Sequence, residues 1–251
     1  MNTKTDEGST RRPASCSSPR RASTNSPAGP RPARSTRPPP ARHGTGEQGT
    51  REARQLLRRA RFPVVKGLDG YDFTNVRLPD GYMLDELLGL GFIPRAQDLV
   101  FYGKTGRGKT HLAIGLGMKA IDMGLGVRFH QTAELVLQLG KAKRDGTLET
   151  MLRDIGRADL IILDEFGYVF DIDGARLLYQ IIAGSYERRS IIFTTNIEFS
   201  KWGTVFADDK LAAAIIDRIV HHGRLLEFTG QSRRVSEALM FGRNTSAQPE
   251  K

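Results

Sequence analysis

The chain has 251 residues, 39% of them apolar, and carries 38 Lys and Arg against 28 Asp and Glu, for a net charge of +10. That length suits one large domain or two small ones. The single cysteine, Cys16, excludes a disulfide framework and a cysteine-based zinc site. No apolar run approaches the roughly 18 residues of a membrane-spanning helix, so a reducing, cytoplasmic setting is expected.

Residues 1–50 hold nine basic and three acidic residues, which is +6 of the net charge, among many Pro, Ser, Thr and Gly. Such a segment buries too little surface to offset its ordering entropy, so a disordered basic tail is expected. No apolar core follows its basic residues, which argues against a secretory signal. The tail either neutralises nucleic-acid phosphates or is an inert solvated extension. The stretch REARQLLRRARF reads as a short basic helix with Leu56, Leu57 and Ala60 on a narrow apolar stripe, ended by Pro63. A turn-rich stretch with Tyr71 and Phe73 follows, then helical patterning at Met83–Leu88.

From 98 onward short apolar runs alternate with helical patterns. Strands are expected at Leu99–Tyr102, Val127–His130, Leu160–Leu163, Ile191–Thr195 and Leu225–Phe228. Helices are expected at Thr110–Met123, Ala133–Lys143, Asp173–Arg188 and Leu211–Val220. Runs apolar throughout suit strands buried on both faces, so the fold class is α/β, a parallel sheet with helices on both sides. The expected division is a tail at 1–50, a helical remnant and connector at 51–95, the main domain at 96–241 and a disordered end at 242–251.

Three stretches carry chemistry. Gly103-Lys104-Thr105-Gly106-Arg107-Gly108-Lys109-Thr110 fits G-x-x-x-x-G-K-[ST] and stands between an expected strand and an expected helix. The glycines let amide N–H groups approach phosphate oxygens, and the helix start adds partial positive charge. Lys109 would reach the β- and γ-phosphates, and the Thr110 hydroxyl would ligate Mg²⁺. Lys104 and Arg107 sit at permissive positions, and His111 packs or hydrogen-bonds at the loop base. Next, an apolar strand ends in Asp164-Glu165. Asp164 would hold Mg²⁺ through water. Adjacent strand residues point to opposite sides, so Glu165 is free to polarise an attacking water. Third, Ile191–Thr195 ends in Asn196. If that strand lies between the other two, Asn196 arrives beside the γ-phosphate and holds the water with Glu165.

Two arginines are further candidates, each with a surface ion pair as the alternative. Arg218 lies on a helix, where in oligomeric ATPases an arginine reaches into the neighbour's site. Arg234 is a candidate γ-phosphate contact within its own chain. Trp202 is read as loop packing rather than base stacking. His221 and His222 lack a ligand cluster. Tyr168 and Phe170 either contact DNA or a neighbour, or pack. No Asn-Lys-x-Asp motif appears, which disfavours GTP.

With these residues assembled, 55–240 resembles the IstB family of transposition helper ATPases, in the DnaC-like branch of the AAA+ superfamily. The resemblance is carried by RFPVVKGLDGYDF, GKTGRGKTHLA, VRFHQTAELVLQL, LIILDEFGY, YERRSIIFTTNIEFSKWGTVFADDKLAAAIIDRIVHHG and GQSRR. It implies a five-stranded parallel sheet in the order 5-1-4-3-2 with Asn196 on the central strand. It also implies ATP and Mg²⁺ as ligands, a homo-oligomeric ring or filament on double-stranded DNA, and recruitment or activation of a transposase. Two features depart from the family pattern. Only about 50–95 resembles the end of its helical N-terminal domain, and Ser232-Arg233-Arg234 stands where Ser-Tyr-Arg is usual. A helicase loader, a non-hydrolysing DNA-binding protein and a small-molecule phosphotransferase are the alternatives.

Overall fold

The computed structural model describes residues 47–167, 171–206 and 208–232. Helix α1 (Glu47–Ala60) leads into a two-residue strand β1 (Val76–Arg77) and a short helix α2 (Leu84–Leu88). Then come β2 (Asp98–Tyr102), α3 (Lys109–Asp122), β3 (Val127–Gln131), α4 (Thr132–Arg144) and α5 (Leu148–Ile155). The chain continues with β4 (Leu160–Asp164), α6 (Ile172–Ser185), β5 (Ser190–Thr195), a 3₁₀ turn at Phe199–Lys201, α7 (Trp202–Val205), α8 (Asp209–His222) and β6 (Gly223–Phe228).

The sheet runs β1-β6-β2-β5-β4-β3. Five strands are parallel, with Leu99 opposite Ile192 between β2 and β5, and Ile161 opposite Ile191 between β4 and β5. Among the described residues the sheet therefore has six strands rather than five. The addition is β1, which pairs antiparallel with β6 through Val76 and Phe228. It was illegible because two residues cannot display an alternation, and they lie in a turn-rich stretch.

Strand side chains alternate between two layers, as the pleat requires. Leu99, Phe101, Leu160, Ile162 and Ile192 face a core shared with α1, α2 and α3. Val100, Ile161, Leu163, Ile191 and Phe193 face a second core made with α4, α5, α6 and α8. The sheet is thus covered on both sides, and every residue of β4 and β5 is buried. Asp171 caps α6 by accepting from the Gly174 N–H, and Asp208 caps α8 by accepting from the Lys210 and Leu211 N–H groups. Helix α6 stops at Ser185, three residues before its expected end, because Tyr186 turns to an extended conformation. Strands β2, β3, β4 and β5 all end at the same edge of the sheet, at Tyr102, Gln131, Asp164 and Thr195. In a parallel α/β sheet that carboxyl edge is where ligands bind.

Candidate nucleotide site

The loop from Gly103 to Gly108 leaves the end of β2 and turns into α3. Gly108 precedes the helix at φ +88° and supplies no side chain to cap it. The first N–H groups of a 14-residue helix are therefore left to an anion from outside the helix. A Cβ on Gly108 would stand 2.9 Å from the Tyr71 hydroxyl, which itself donates to the Gly108 carbonyl at 3.2 Å. Gly103 has a different reason to be glycine: a Cβ there would lie 2.4 Å from the Phe228 carbonyl oxygen on β6. Lys109 is buried, with its ammonium donating to the carbonyls of Gly103 at 2.5 Å and Lys104 at 2.8 Å. The loop thus folds around its own lysine.

At the end of β4, Asp164 is buried and gathers two hydroxyls. Thr110 donates to its Oδ1 at 2.8 Å, and Thr194 of β5 donates to the same oxygen at 2.6 Å. Burial holds the Asp164 carboxyl above its usual range, and the Thr194 and Thr110 hydrogen bonds oppose that shift. A buried carboxylate beside a hydroxyl, at the start of an anion-binding helix, has the oxygen chemistry of a Mg²⁺ site completed by water and phosphate. Among the described residues no group of three His, Cys, Asp or Glu could hold a metal by itself.

Glu165 corrects one expectation. The strand ends at Asp164, and Glu165 turns away at φ +54°. Its direction follows from a left-handed turn, not from strand alternation. The turn is held by two bonds, the Glu165 N–H to the Thr194 hydroxyl at 3.0 Å and the Phe166 N–H to the Thr194 carbonyl at 2.7 Å. Gln131, at the end of β3, donates to Glu165 Oε2 at 2.8 Å. Strand β5 lies between β2 and β4, which brings Asn196 to the same opening.

A cleft of about 510 Å³ opens here, and Asp164 and Gln131 are not among its lining residues. Thr105, Gly106, Arg107, Gly108, Lys109, Thr110 and His111 form one wall, and Glu165, Thr194, Thr195 and Asn196 face them. Pro63, Val64 and Lys66, a strap just beyond α1, and Ile114 of α3 complete the lining. Gly103 and Lys104 are not on the wall; their carbonyls serve Lys109 instead. Arg107 also anchors the loop, donating to the Phe228 carbonyl at 2.8 Å. The His111 Nε2–H donates to the Gly67 carbonyl, 2.9 Å away, tying the start of α3 to the segment that follows α1.

Residues 44–240 match the family described as IstB-like ATP binding protein. The chain belongs to that family. It is 42% identical over 187 residues to the insertion sequence IS21 putative ATP-binding protein of Pseudomonas aeruginosa, spanning 74% of this chain and 71% of that one. It is 39% identical over 192 residues to the insertion sequence IS5376 putative ATP-binding protein of Geobacillus stearothermophilus, spanning 76% of each. Among solved structures, DnaI is similar in fold, with a TM-score of 0.54 and 21% identity over 72% of this chain and 93% of that one. AMPPCP-bound DnaA from Aquifex aeolicus is similar at a TM-score of 0.54 and 19% identity, over 75% of this chain and 58% of that one.

Not every candidate of this IstB-like chain converges on the cleft. Arg218 sits on α8, away from the chain's own cleft, with its guanidinium 5.2 Å from the Tyr179 ring centre and donating to the Ala214 carbonyl at 2.8 Å. Arg234, Tyr168 and Phe170 lie outside the described residues. Trp202 is fully buried against Phe166 and donates to the Ile197 carbonyl, so it packs the loop. Among the described residues no helix is long and apolar enough to cross a membrane. Sequence reasoning missed Gln131, the role of Thr194, and the strap of Pro63, Val64 and Lys66. Thr194 was half visible in the Thr-Thr-Asn strand end; Gln131 had no local signal.

Proposed function

We propose that this IstB-like protein binds and hydrolyses ATP with Mg²⁺ and assembles with copies of itself on duplex DNA as a helper of transposition, recruiting or activating a transposase. The observation that carries the catalytic part is the Thr110–Asp164 hydrogen bond at the start of α3, with Glu165 and Asn196 lining the same cleft. The part concerning transposition is supported by the family and by relatives named as ATP-binding proteins of insertion sequences. The ATPase domain would occupy 96–241, with 51–95 as its connector, acting in the cytoplasm.

The α3 N–H groups and the Lys109 ammonium would hold the β- and γ-phosphates, Lys109 leaving its carbonyl partners to do so. Thr110 and, through water, Asp164 would hold Mg²⁺, which when bound neutralises charge on the phosphate oxygens. Glu165 and Asn196 would orient a water in line with the γ-phosphate, Glu165 drawing its proton. The apolar wall of Pro63, Val64 and Ile114 suits the flat base. Arg218, which does not line its own cleft, would complete the site of a neighbouring copy, and Arg234 would touch the γ-phosphate within the chain. The test is steady-state ATP hydrolysis with and without duplex DNA, for the natural protein and Lys109→Ala. Hydrolysis stimulated by duplex and abolished in the variant is expected; equal hydrolysis in both proteins would sink the catalytic assignment.

A further inference from the structure

We propose that the outer face of α1 is a docking surface for the phosphate backbone of duplex DNA. The proposal rests on the DNA-partner part of the reading above and gives it a place on the molecule. Helix α1 divides its residues cleanly. Ala60 is fully buried, and Leu56 and Leu57 pack against the core beneath β3 and α3. On the other side Arg51, Arg54 and Arg58 recur at i, i+3 and i+7, which places them in one row, and all three are exposed. Arg59, about a quarter of a turn on from Arg58, flanks the row and is exposed, whereas Arg61 leaves the helix at φ +58° and its charge acts on His130 and Asp154. Among the described residues no carboxylate pairs with Arg54, Arg58 or Arg59. Glu52 stands about a quarter of a turn from Arg51.

Covering the core asks α1 only for a polar outer face, yet beside the exposed Glu52 that face carries the exposed Arg51, Arg54, Arg58 and Arg59. Arg54, Arg58 and Arg59, which no carboxylate among the described residues pairs, repel one another, and an anionic partner turns that repulsion into attraction. From Arg51 to Arg58 the row is about 10 Å long. A duplex carries one charge per about 1.7 Å of axis, so several phosphates lie within its reach. The planar fork of arginine matches phosphate oxygens two at a time. Contacts of this kind position a protein on DNA without reading its sequence. A bilayer surface is the poorer fit, because the apolar side of α1 is already spent on the core and nothing remains to insert. The surface is distinct from the nucleotide cleft and shares no residue with it, although the chain passes from Arg61 directly into the Pro63–Lys66 strap.

The experiment compares the full chain with its R54Q/R58Q/R59Q variant, glutamine having nearly the helix propensity of arginine. Binding of a fluorescent mixed-sequence duplex is followed by anisotropy across a salt series, with anionic phosphatidylserine vesicles as a second arm. The expected result is a loss of duplex affinity of about 10- to 100-fold, with a salt slope shallower by about three. Thermal midpoint and DNA-free ATP hydrolysis should be unchanged, since none of the three residues is in the cleft. A variant that binds duplex with the same affinity and slope would overturn the proposal and leave the DNA-partner reading standing. Natural protein that binds no duplex would overturn both. Arginine-dependent binding to vesicles but not to duplex would overturn the proposal in favour of a lipid surface.

Discussion

Gln131 donates a 2.8 Å hydrogen bond to the Glu165 carboxylate, tying the end of edge strand β3 to the turn after β4. Glu165 is the group assigned to the attacking water, so its present partner competes with that water. A hydrogen bond to a charged carboxylate is worth about 1.5–3 kcal/mol. Gln131→Ala is therefore expected to raise DNA-free ATP hydrolysis by about tenfold or more. Glu165→Gln should lower it by at least about 100-fold while leaving binding of a non-hydrolysable analogue intact. If Gln131→Ala instead slows hydrolysis as Glu165→Gln does, Gln131 orients the base rather than restraining it.

Two glycines of the loop should fail differently. Gly103→Ala drives a Cβ to within 2.4 Å of a backbone carbonyl on β6, which no side-chain movement relieves. It should cost several kcal/mol of stability, read as a lowered urea midpoint. Gly108→Ala places a side chain at φ +88° and beside the Tyr71 hydroxyl, at the very start of α3. Strain of about 1–2 kcal/mol at the anion-binding turn should weaken ATP about tenfold, measured by calorimetry. Adding Tyr71→Phe should recover part of that loss, because it removes the contact but not the backbone strain.

Asp98 and His130 should pull stability in opposite directions over the same pH range. Asp98, buried at the start of β2 and accepting from the Ile191 N–H at 2.7 Å, is pushed by burial from 3.8 to about 7. Between those values the native chain keeps a proton that the unfolded chain has lost, so this group makes stability fall as pH rises toward 7. His130, whose buried Nε2 has no hydrogen-bond partner among the described residues, is lowered from 6.5 to about 4, first by burial and then by Arg61 and Arg128, with Asp154 opposing. There the unfolded chain binds the extra proton, so stability falls as pH drops from 6.5 toward 4. Unfolding midpoints measured from about pH 4 to about pH 8 should separate them. Asp98→Asn should remove the loss on the alkaline side, and His130→Gln the loss on the acid side.

Arg218 lies over the Tyr179 ring of α6 and is not among the residues lining its own cleft. If it serves a neighbour, two inactive variants should complement each other. Lys109→Ala and Arg218→Ala, each inactive alone, are expected to regain ATP hydrolysis when mixed, as some sites then pair an intact Lys109 with an intact Arg218. No recovery across a range of mixing ratios would place Arg218 outside the chemistry.

The sequence by itself determined the parts of the site that are local in the chain. GKTGRGKT between an apolar run and a helical pattern, and an apolar strand ending in Asp164-Glu165, declare themselves because turn, strand and helix leave their periods in consecutive residues. The α/β class, with helices on both sides of the sheet, was legible for the same reason, since runs apolar throughout require cover on both faces. Helix α5, of eight residues with one buried side chain, and β1, of two residues, were too short to show a period. Only the tertiary structure decided which distant residues meet. Thr194 bonds Asp164 from 30 positions away, Gln131 reaches Glu165 across 34, and Arg107 ties its loop to Phe228 across 121. Those meetings depend on the order of strands in the sheet, and strand order is chosen by the packing of the whole core rather than by any short stretch of chain. The left-handed turn at Glu165 was decided the same way, by the Thr194 hydroxyl and carbonyl of a neighbouring strand accepting the N–H groups that the strand end leaves open.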